Sequence, residues 1–150
     1  MAVNIKDLAI SCRNFGVGEP IPRAHAVEGD DVRPVVDISG VPDGTVELAV
    51  ICHDPDAPMP RGFTHWTVYG LAPATTTIGA DDAGREGPNS LGETGYTGPN
   101  PPPGHGVHHY YFWVYALDTT VDGEPSREEF LERYAAHVLE QNRVVGTYSR

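Results

Sequence analysis

The sequence contains few cysteines, a single lysine and no long hydrophobic run. Cys12 and Cys52 stand far apart and outside any ligand-type doublet, so neither a disulfide framework nor a zinc knuckle is indicated, and free thiols are expected. No run of about 18 apolar residues, the length of a transmembrane helix, occurs, and the N-terminus lacks the basic and apolar regions of a signal peptide. These absences predict a cytoplasmic protein with no transmembrane segment.

Positive charge is also scarce. The formal net charge is −11, and the ten basic residues, of which only Lys6 is a lysine, are scattered among 21 acidic ones. Binding to a polyanion needs clustered lysine and arginine that displace counterions, so nucleic acid is not an expected partner. The acidity is typical of a well-solvated surface, with a high-salt habitat as the alternative.

Motifs for nucleophilic and phosphate-loop chemistry are missing as well. There is no GxSxG elbow and no Walker loop, Cys52 lies in an apolar strand, and Ser90 stands in a loop without an identifiable base. Two histidines and an aspartate can form a metal site, but the close spacing typical of histidine ligands is absent. We therefore expect a protein without a cofactor that is not an enzyme, and keep a His/Asp hydrolase, with or without a metal, as a minor alternative.

The sequence does contain many short strand-like runs between turns rich in glycine and proline. The clearest are 46–53, 64–71 and 108–117, with weaker candidates near 3–12 and 32–38. No helical pattern of 10 to 15 residues separates the central runs, which disfavours a parallel sheet built from βαβ units. The pattern predicts one mainly β domain over residues 1–150, built as an antiparallel sandwich or barrel.

One helix is signalled near the C-terminus. Ser126 and Glu129 are spaced as a capping box, and an apolar stripe at helical spacing follows at Phe130, Tyr134 and Val138. These features predict a helix over about 126–142 that packs on the sheet, ended by Asn142 and Gly146. The closing residues VVGTYSR are expected to form an edge strand or a tail.

A loop rich in proline and glycine, GYTGPNPPPGHG (95–106), precedes the run HHYYFWVYAL (108–117). Proline has no N–H for a sheet ladder and glycine permits bends, so we predict a rigid, shaped loop that delivers His108 to the rim of a core strand. Alternation places Tyr110 on the face of His108 and His109 on the opposite face. Apolar residues on both faces predict that this strand is buried on both sides.

A second stretch, ICHDPDAPMPRGFTHW (51–66), holds two aspartates and a histidine. The proline after Asp54 favours extended backbone at that residue. If the stretch folds back as a hairpin, Asp54 or Asp56 can approach His65 and raise the pKa of its imidazole. Protonated His65 and His108, with backbone amides of the glycine-rich loop nearby, would then form an anion site.

Each of these features also has a purely structural interpretation. An Asp-Pro pair commonly only starts a turn, because the side chain bonds to the backbone two residues on. His53, at the end of an apolar strand, is expected to be a satisfied core or rim histidine. No function is assigned to His25, His105 or His137.

Together the two stretches resemble the phosphatidylethanolamine-binding proteins, also called the Raf-kinase-inhibitor-like family, in their short bacterial and archaeal branch. The resemblance is carried, in this order along the chain, by DPDAP (54–58), HW (65–66), GYTGPNPPPG (95–104) and HHY (108–110). It extends over nearly the whole chain. Three residues depart from the family pattern: Ile38, Asn100 and His109 stand where relatives usually carry tryptophan, cysteine and arginine.

The resemblance implies a Greek-key sandwich of antiparallel sheets with short peripheral helices and one C-terminal helix. It also implies a pocket for phosphate-like or other anionic groups. The residues that the resemblance assigns to this pocket are Asp54, Asp56, His65, His108 and Tyr110, with Gly98, Pro101 and Pro102 shaping its wall. The expected function is the binding of a small anionic or phosphorylated ligand of the phospholipid-headgroup type. The alternative is a regulator that acts on an unidentified protein partner through its surface, and the relatives suggest a homodimer.

Overall fold

The strands form two antiparallel sheets in the computed structural model, which describes residues 5–79 and 84–150. The strands are β1 (Ala9–Cys12), β2 (Val36–Ser39), β3 (Glu47–Asp54), β4 (Phe63–Leu71), β5 (Thr77–Ile78), β6 (Arg85–Glu86), β7 (His108–Leu117) and β8 (Val138–Tyr148). One α-helix, α1 (Arg127–Tyr134), and two 3₁₀ turns, Arg23–His25 and Ala135–His137, complete the regular structure in these ranges. The smaller sheet has the order β1-β2-β5 and the larger one β6-β4-β3-β7-β8.

The larger sheet is covered on both faces, and β3 at its centre is buried at every residue. Along β3 the side chains alternate, so that Leu48 and Val50 join the core shared with the smaller sheet, whereas Ala49 and Ile51 pack with Phe130 of α1. The predicted mainly β sandwich with a C-terminal helix is therefore confirmed.

Strand β7 begins and ends where the sequence pattern predicted, but its burial differs from the prediction. One face is buried throughout, whereas on the other face His109 is exposed and Tyr111 and Trp113 are half-buried. The reason is that α1 covers only the far end of this face, around Tyr115 and Leu117. Over the near end lies the Arg143 guanidinium, 5.4 Å and 5.1 Å from the ring centres of Tyr111 and Trp113.

The predicted helix over 126–142 is wrong beyond Tyr134. Its start is correct, because the Ser126 side chain accepts from the Glu129 N–H and the Glu129 carboxylate accepts from the Ser126 N–H. The helix then tightens into the turn Ala135–His137, and the Asp118 N–H donates to the His137 carbonyl oxygen at 3.0 Å. From Val138 onward the chain is β8, which pairs with the whole of β7.

The weaker strand predictions were too long. Of the run near 3–12, β1 takes Ala9–Cys12, and residues 3 and 4 lie outside the described residues. Of the run near 32–38, only its end belongs to β2. Both cysteines are free and buried, as expected. In the described ranges no helix has the length and apolar character needed to cross a membrane.

Candidate functional site

A cavity of about 440 Å³ opens at one end of the larger sheet. Among its lining residues are all but one of those predicted from the sequence: Asp54, His65, Gly98, Pro101, Pro102, His108 and Tyr110. The remaining lining residues are Val27, Asp31, Ala57, Pro58, Met59, Phe63, Leu91, Glu93, Thr97 and Asn100. Segments that are far apart in the sequence therefore meet at one site.

Strand pairing explains why these side chains meet. β3 lies between β4 and β7, so the end of β3 is beside both the start of β4 and the start of β7. Asp54 is opposite Phe63 of β4, and His53 is opposite Tyr111 of β7. A shift of register between Cys52 and His53 interrupts the ladder at this end.

Asp54 and His108 form a buried pair. Nδ1 of His108 lies 2.6 Å from Oδ2 of Asp54, and both side chains are 3% exposed. The other carboxylate oxygen accepts from the backbone N–H of Asp56 at 2.7 Å. Since a carboxylate accepts, the Nδ1 atom of His108 carries a proton. The aspartate expected beside His65 thus has its direct contact with His108 instead.

His65 is not the cation that the sequence suggested. Its Nδ1 donates to the Thr97 carbonyl oxygen at 2.7 Å, and burial lowers the pKa of its imidazole to about 4. The ring is therefore neutral near pH 7, with Nε2 as a hydrogen-bond acceptor. The prediction of two protonated histidines is wrong for this residue, because the cost of burying its charge exceeds what nearby groups offset.

Tyr110 packs edge-on against His65, with ring centres 5.1 Å apart. It is 1% exposed, and burial raises the pKa of its phenol well above its ordinary value. The hydroxyl therefore keeps its proton at neutral pH and can donate a hydrogen bond.

Asp56 lies outside the cavity lining, unlike the other predicted residues. Its Oδ2 accepts from the backbone N–H of His109 at 2.8 Å and lies 2.7 Å from Nδ1 of the same residue. The side chains of His109 and Asp56 are 46% and 40% exposed. His109 thus points away from the cavity and ties the loop of Asp56 to β7.

Asp31 is a lining residue that sequence analysis missed. Its backbone is left-handed, with φ 54°, a conformation that aspartate tolerates better than most residues. Its Oδ1 accepts from the N–H of Gly98 at 2.6 Å. A Cβ at Gly98 would overlap the carbonyl oxygen of His25, so only glycine fits against this segment. The cavity wall is therefore locked to the turn Arg23–His25.

Asn100, in the proline-rich loop, is held from outside the cavity. Its Oδ1 accepts from Nη1 of Arg150 at 2.8 Å. The Nδ2 group is thus the part of this amide that can donate to a ligand.

The lining combines three carboxylates, of which only that of Asp54 is buried, with an apolar mouth. Asp31, Asp54 and Glu93 contribute carboxylates, and no lysine or arginine is found among the described residues that line the cavity. Around the opening, large apolar side chains remain exposed: Val27 at 40%, Met59 at 46% and Leu91 at 58%. A ligand with a polar head and an apolar portion would match this distribution.

Two other histidines near the site behave differently from each other. His53 is buried as predicted, bonds through Nδ1 to Oγ1 of Thr64 at 3.0 Å, and has a pKa that burial lowers to about 4. His105 was assigned no function, yet its Nδ1 lies 2.6 Å from Nε2 of His108.

Over residues 5–79 and 84–150, no three His, Cys, Asp or Glu side chains are grouped to hold a metal ion.

Comparison with known proteins gives a consistent picture. The family model described as phosphatidylethanolamine-binding protein matches residues 11–149. A UPF0098 protein of Pyrococcus horikoshii is 42% identical over 147 residues, which cover 91% of this chain and 74% of the relative. Among solved structures, a phosphatidylethanolamine-binding protein homologue of Chlamydia trachomatis has a TM-score of 0.88 at 32% identity, covering 95% of this chain and 97% of its own. YbcL of E. coli has a TM-score of 0.87 at 29% identity, covering 97% and 99%.

Proposed function

Because this chain belongs to the phosphatidylethanolamine-binding protein family, we propose that it is a binding protein whose cavity holds a small phosphorylated or other anionic ligand. One observation carries the proposal. The end of β3, the start of β4, the proline-rich loop and the start of β7 bring Asp54, His65, Pro101 and His108 onto one cavity. Rigid proline and a glycine that admits no side chain reduce the ordering that binding would otherwise require.

Hydrogen-bond donors for an anion are found among the residues that line the cavity. The Tyr110 hydroxyl stays protonated, and the Nδ2 group of Asn100 can donate. The carboxylates of Asp31 and Asp54 oppose an anion, but each already accepts strong hydrogen bonds from backbone N–H groups, and Asp54 also accepts from His108. Part of their negative charge is thereby compensated before a ligand enters.

The apolar mouth supports a ligand that carries more than a phosphate. Val27, Met59 and Leu91 come from three separate segments and leave apolar surface exposed around the opening. Exposed apolar side chains that surround a polar pocket are typical of a site for an amphiphilic molecule. We infer that the phosphorylated head enters the cavity and that an attached apolar chain lies against these residues.

Binding rather than hydrolysis fits the contacts of His108. Its Nδ1 bonds to Asp54, as in a hydrolase in which an aspartate orients a catalytic histidine. A nucleophile would then contact Nε2, but that nitrogen contacts the imidazole of His105. Cys52 is buried, and desolvation raises the pKa of its thiol far above the ordinary value, so it is a poor nucleophile.

Isothermal titration calorimetry tests the proposal with inorganic phosphate, phosphoethanolamine and dihexanoyl phosphatidylethanolamine below its micelle concentration. We expect all three to bind, and the chain-bearing ligand to bind most tightly. Leu91→Ser should weaken the chain-bearing ligand about tenfold, because about two buried methylene groups are lost, and should leave phosphate unchanged. The matched control is Val17→Ser, which alters an exposed apolar residue outside the cavity lining. No heat from any ligand, with the protein folded by circular dichroism, would refute the proposal.

A further inference from the structure

His105 lies in the proline-rich loop, three residues before β7, and is exposed. It stands between Gly104 and Gly106, whose φ angles of 76° and 88° are left-handed and favour glycine. This turn brings the His105 ring against His108, with ring centres 4.9 Å apart, although His105 itself is not among the residues that line the cavity. The resulting Nδ1 to Nε2 distance of 2.6 Å is that of a short hydrogen bond.

The protons in this contact can be counted. Nδ1 of His108 donates to Asp54, so the remaining ring nitrogen, Nε2, determines whether His108 is neutral or charged. If Nε2 of His108 carries no proton, the Nδ1–H of His105 donates to its lone pair and both rings are neutral. Asp54, His108 and His105 together then carry a charge of −1. If one more proton is present on either ring, the hydrogen bond persists and the three groups are neutral overall. Asp54, His108 and His105 can therefore accept one proton without losing the hydrogen bonds that join them.

The charged and titratable groups around the His105–His108 pair determine how well a proton is stabilised there. From β3 and the segment after it, Asp54 and Asp56 face the pair, and from β4 His65 faces it as a neutral ring, since burial lowers its pKa to about 4. From β7, Tyr110 stacks on His108 at 6.5 Å, and His109 binds Asp56. Asp31 and Glu93 also line the cavity. Near the loop, the Arg150 carbonyl oxygen accepts from the Gly104 N–H, and the Arg150 guanidinium pairs with Glu28 at 3.8 Å. On β8, Tyr148 is the residue paired with His108.

The cavity thus presents acidic groups and neutral donors. His65 and His108 are the histidines that line it, and His105, an exposed residue outside the lining, contacts His108. We propose that His105 acts on the site through its hydrogen bond to His108, and that the cavity takes up an oxyanion together with one proton held on the His105–His108 pair. The inference rests on the proposed function and deepens it. The compensating proton comes from solvent and is held on the protein rather than on the ligand, so oxyanions with no titratable proton of their own, such as sulfate, are also bound.

Calorimetry in two buffers of different ionisation enthalpy tests this, because it counts the protons taken up when an anion binds. The probes are sulfate and inorganic phosphate near pH 7. For the same anion, the difference in uptake between wild type and His105→Gln cancels the titration of the ligand itself. We expect this difference to approach one proton, and sulfate affinity in the wild type to fall as the pH is raised from 6 to 8.

His105→Lys supplies a permanent charge in place of the shared proton. It should bind sulfate with no proton uptake and with an affinity that changes little between pH 6 and pH 8. The matched control is His137→Gln, which alters an exposed histidine paired with Asp118 away from the cavity and should behave as the wild type.

The outcomes separate the two proposals. Anion binding with equal proton uptake in wild type and His105→Gln would overturn the role of His105 and leave the proposed function standing. Loss of binding in His105→Gln that His105→Lys fails to restore would also overturn it, because a missing charge would not be the cause. If neither sulfate nor phosphate binds to the wild type, this inference fails, and the proposed function fails with it if phosphoethanolamine and dihexanoyl phosphatidylethanolamine do not bind either.

Discussion

Two histidine–aspartate pairs lie side by side in this protein, made by consecutive histidines and by aspartates two residues apart. His108 and Asp54 are 3% exposed, whereas His109 and Asp56 are 46% and 40% exposed, although the two Nδ1 to Oδ2 distances are 2.6 Å and 2.7 Å. The chemistry and the geometry of the pairs are nearly identical. The difference in environment arises because adjacent residues on a strand point to opposite faces of the sheet.

This comparison teaches that a short contact alone does not identify a functional pair. In the exposed pair, water competes for both groups and salt screens them, so the contact contributes little free energy. In the buried pair, water cannot readily replace the hydrogen bond between the two groups, and the carboxylate holds one tautomer of the imidazole at the cavity. Substitutions in the two pairs should therefore differ strongly in effect.

The largest effect is expected from Asp54→Asn. The substitution removes a charged acceptor from a buried imidazole N–H, which should lower the free energy of unfolding by roughly 2–3 kcal/mol. Phosphate affinity should fall more than tenfold, because His108 is no longer held in one tautomer. Urea denaturation and calorimetry measure the two effects. Asp118→Asn, in the exposed pair with His137, is the matched control, and equal losses in both variants would contradict the distinction by burial.

A buried imidazole without a direct carboxylate partner sharpens the comparison. The pKa of His65 is about 4 when folded and its ordinary value is 6.5, so between these pH values the unfolded chain binds more protons and stability falls as pH falls. At pH 5 this loss is about 2 kcal/mol relative to neutral pH. In His65→Gln, urea denaturation at pH 7.5 and pH 5 should show an acid loss smaller by that amount. His53 has a similar shift but is present in both proteins, so its contribution cancels. An unchanged acid loss would show that His65 is not neutral and buried.

The smallest effect is expected from breaking the exposed pair. A double-mutant cycle with Asp56→Ala and His109→Ala should give a coupling free energy of about 0.5 kcal/mol or less, which decreases further in high salt. Phosphate affinity should change less than twofold, because neither side chain lines the cavity. A coupling as large as that of the buried pair would mean that exposure does not distinguish them.

Much of the fold could be predicted because its signals are local. The strand His108–Leu117 has alternating side chains and follows a loop that cannot join a central sheet, so both of its ends are marked in the sequence. The capping box at Ser126 depends on two residues three apart, and it marked the start of α1 correctly. The family resemblance added the sandwich architecture, which rests on pairing between distant strands.

The end of the helix could not be predicted for the opposite reason. Residues after Tyr134 include valines and leucine at spacings that suit a helix, and the same residues suit a strand. What decides is pairing with β7 along ten register positions, from His108 with Tyr148 to Leu117 with Val138. Such long-range pairing outweighs local helical propensity.

At the site, the sequence indicated which residues assemble but not how each is protonated. The approach of Asp54 to His108 depends on β3 and β7 being neighbours, and the neutral state of His65 depends on burial. His105 was missed because no local sequence pattern distinguishes it from an exposed loop histidine without a function. The signal that could have found it is the pair of glycines around it, which allow a tight turn back toward His108.

The backbone contact between Gly98 and His25 has a consequence for how members of this family could change their ligands. Because position 98 admits no side chain, mutation there cannot make the inner chamber narrower or wider without moving a second segment. Selection for a bulkier or smaller guest would instead act on Val27, Met59 and Leu91, where the outer edge tolerates replacement. Diversity among close homologues should thus concentrate at the entrance, while the chamber behind it keeps one size.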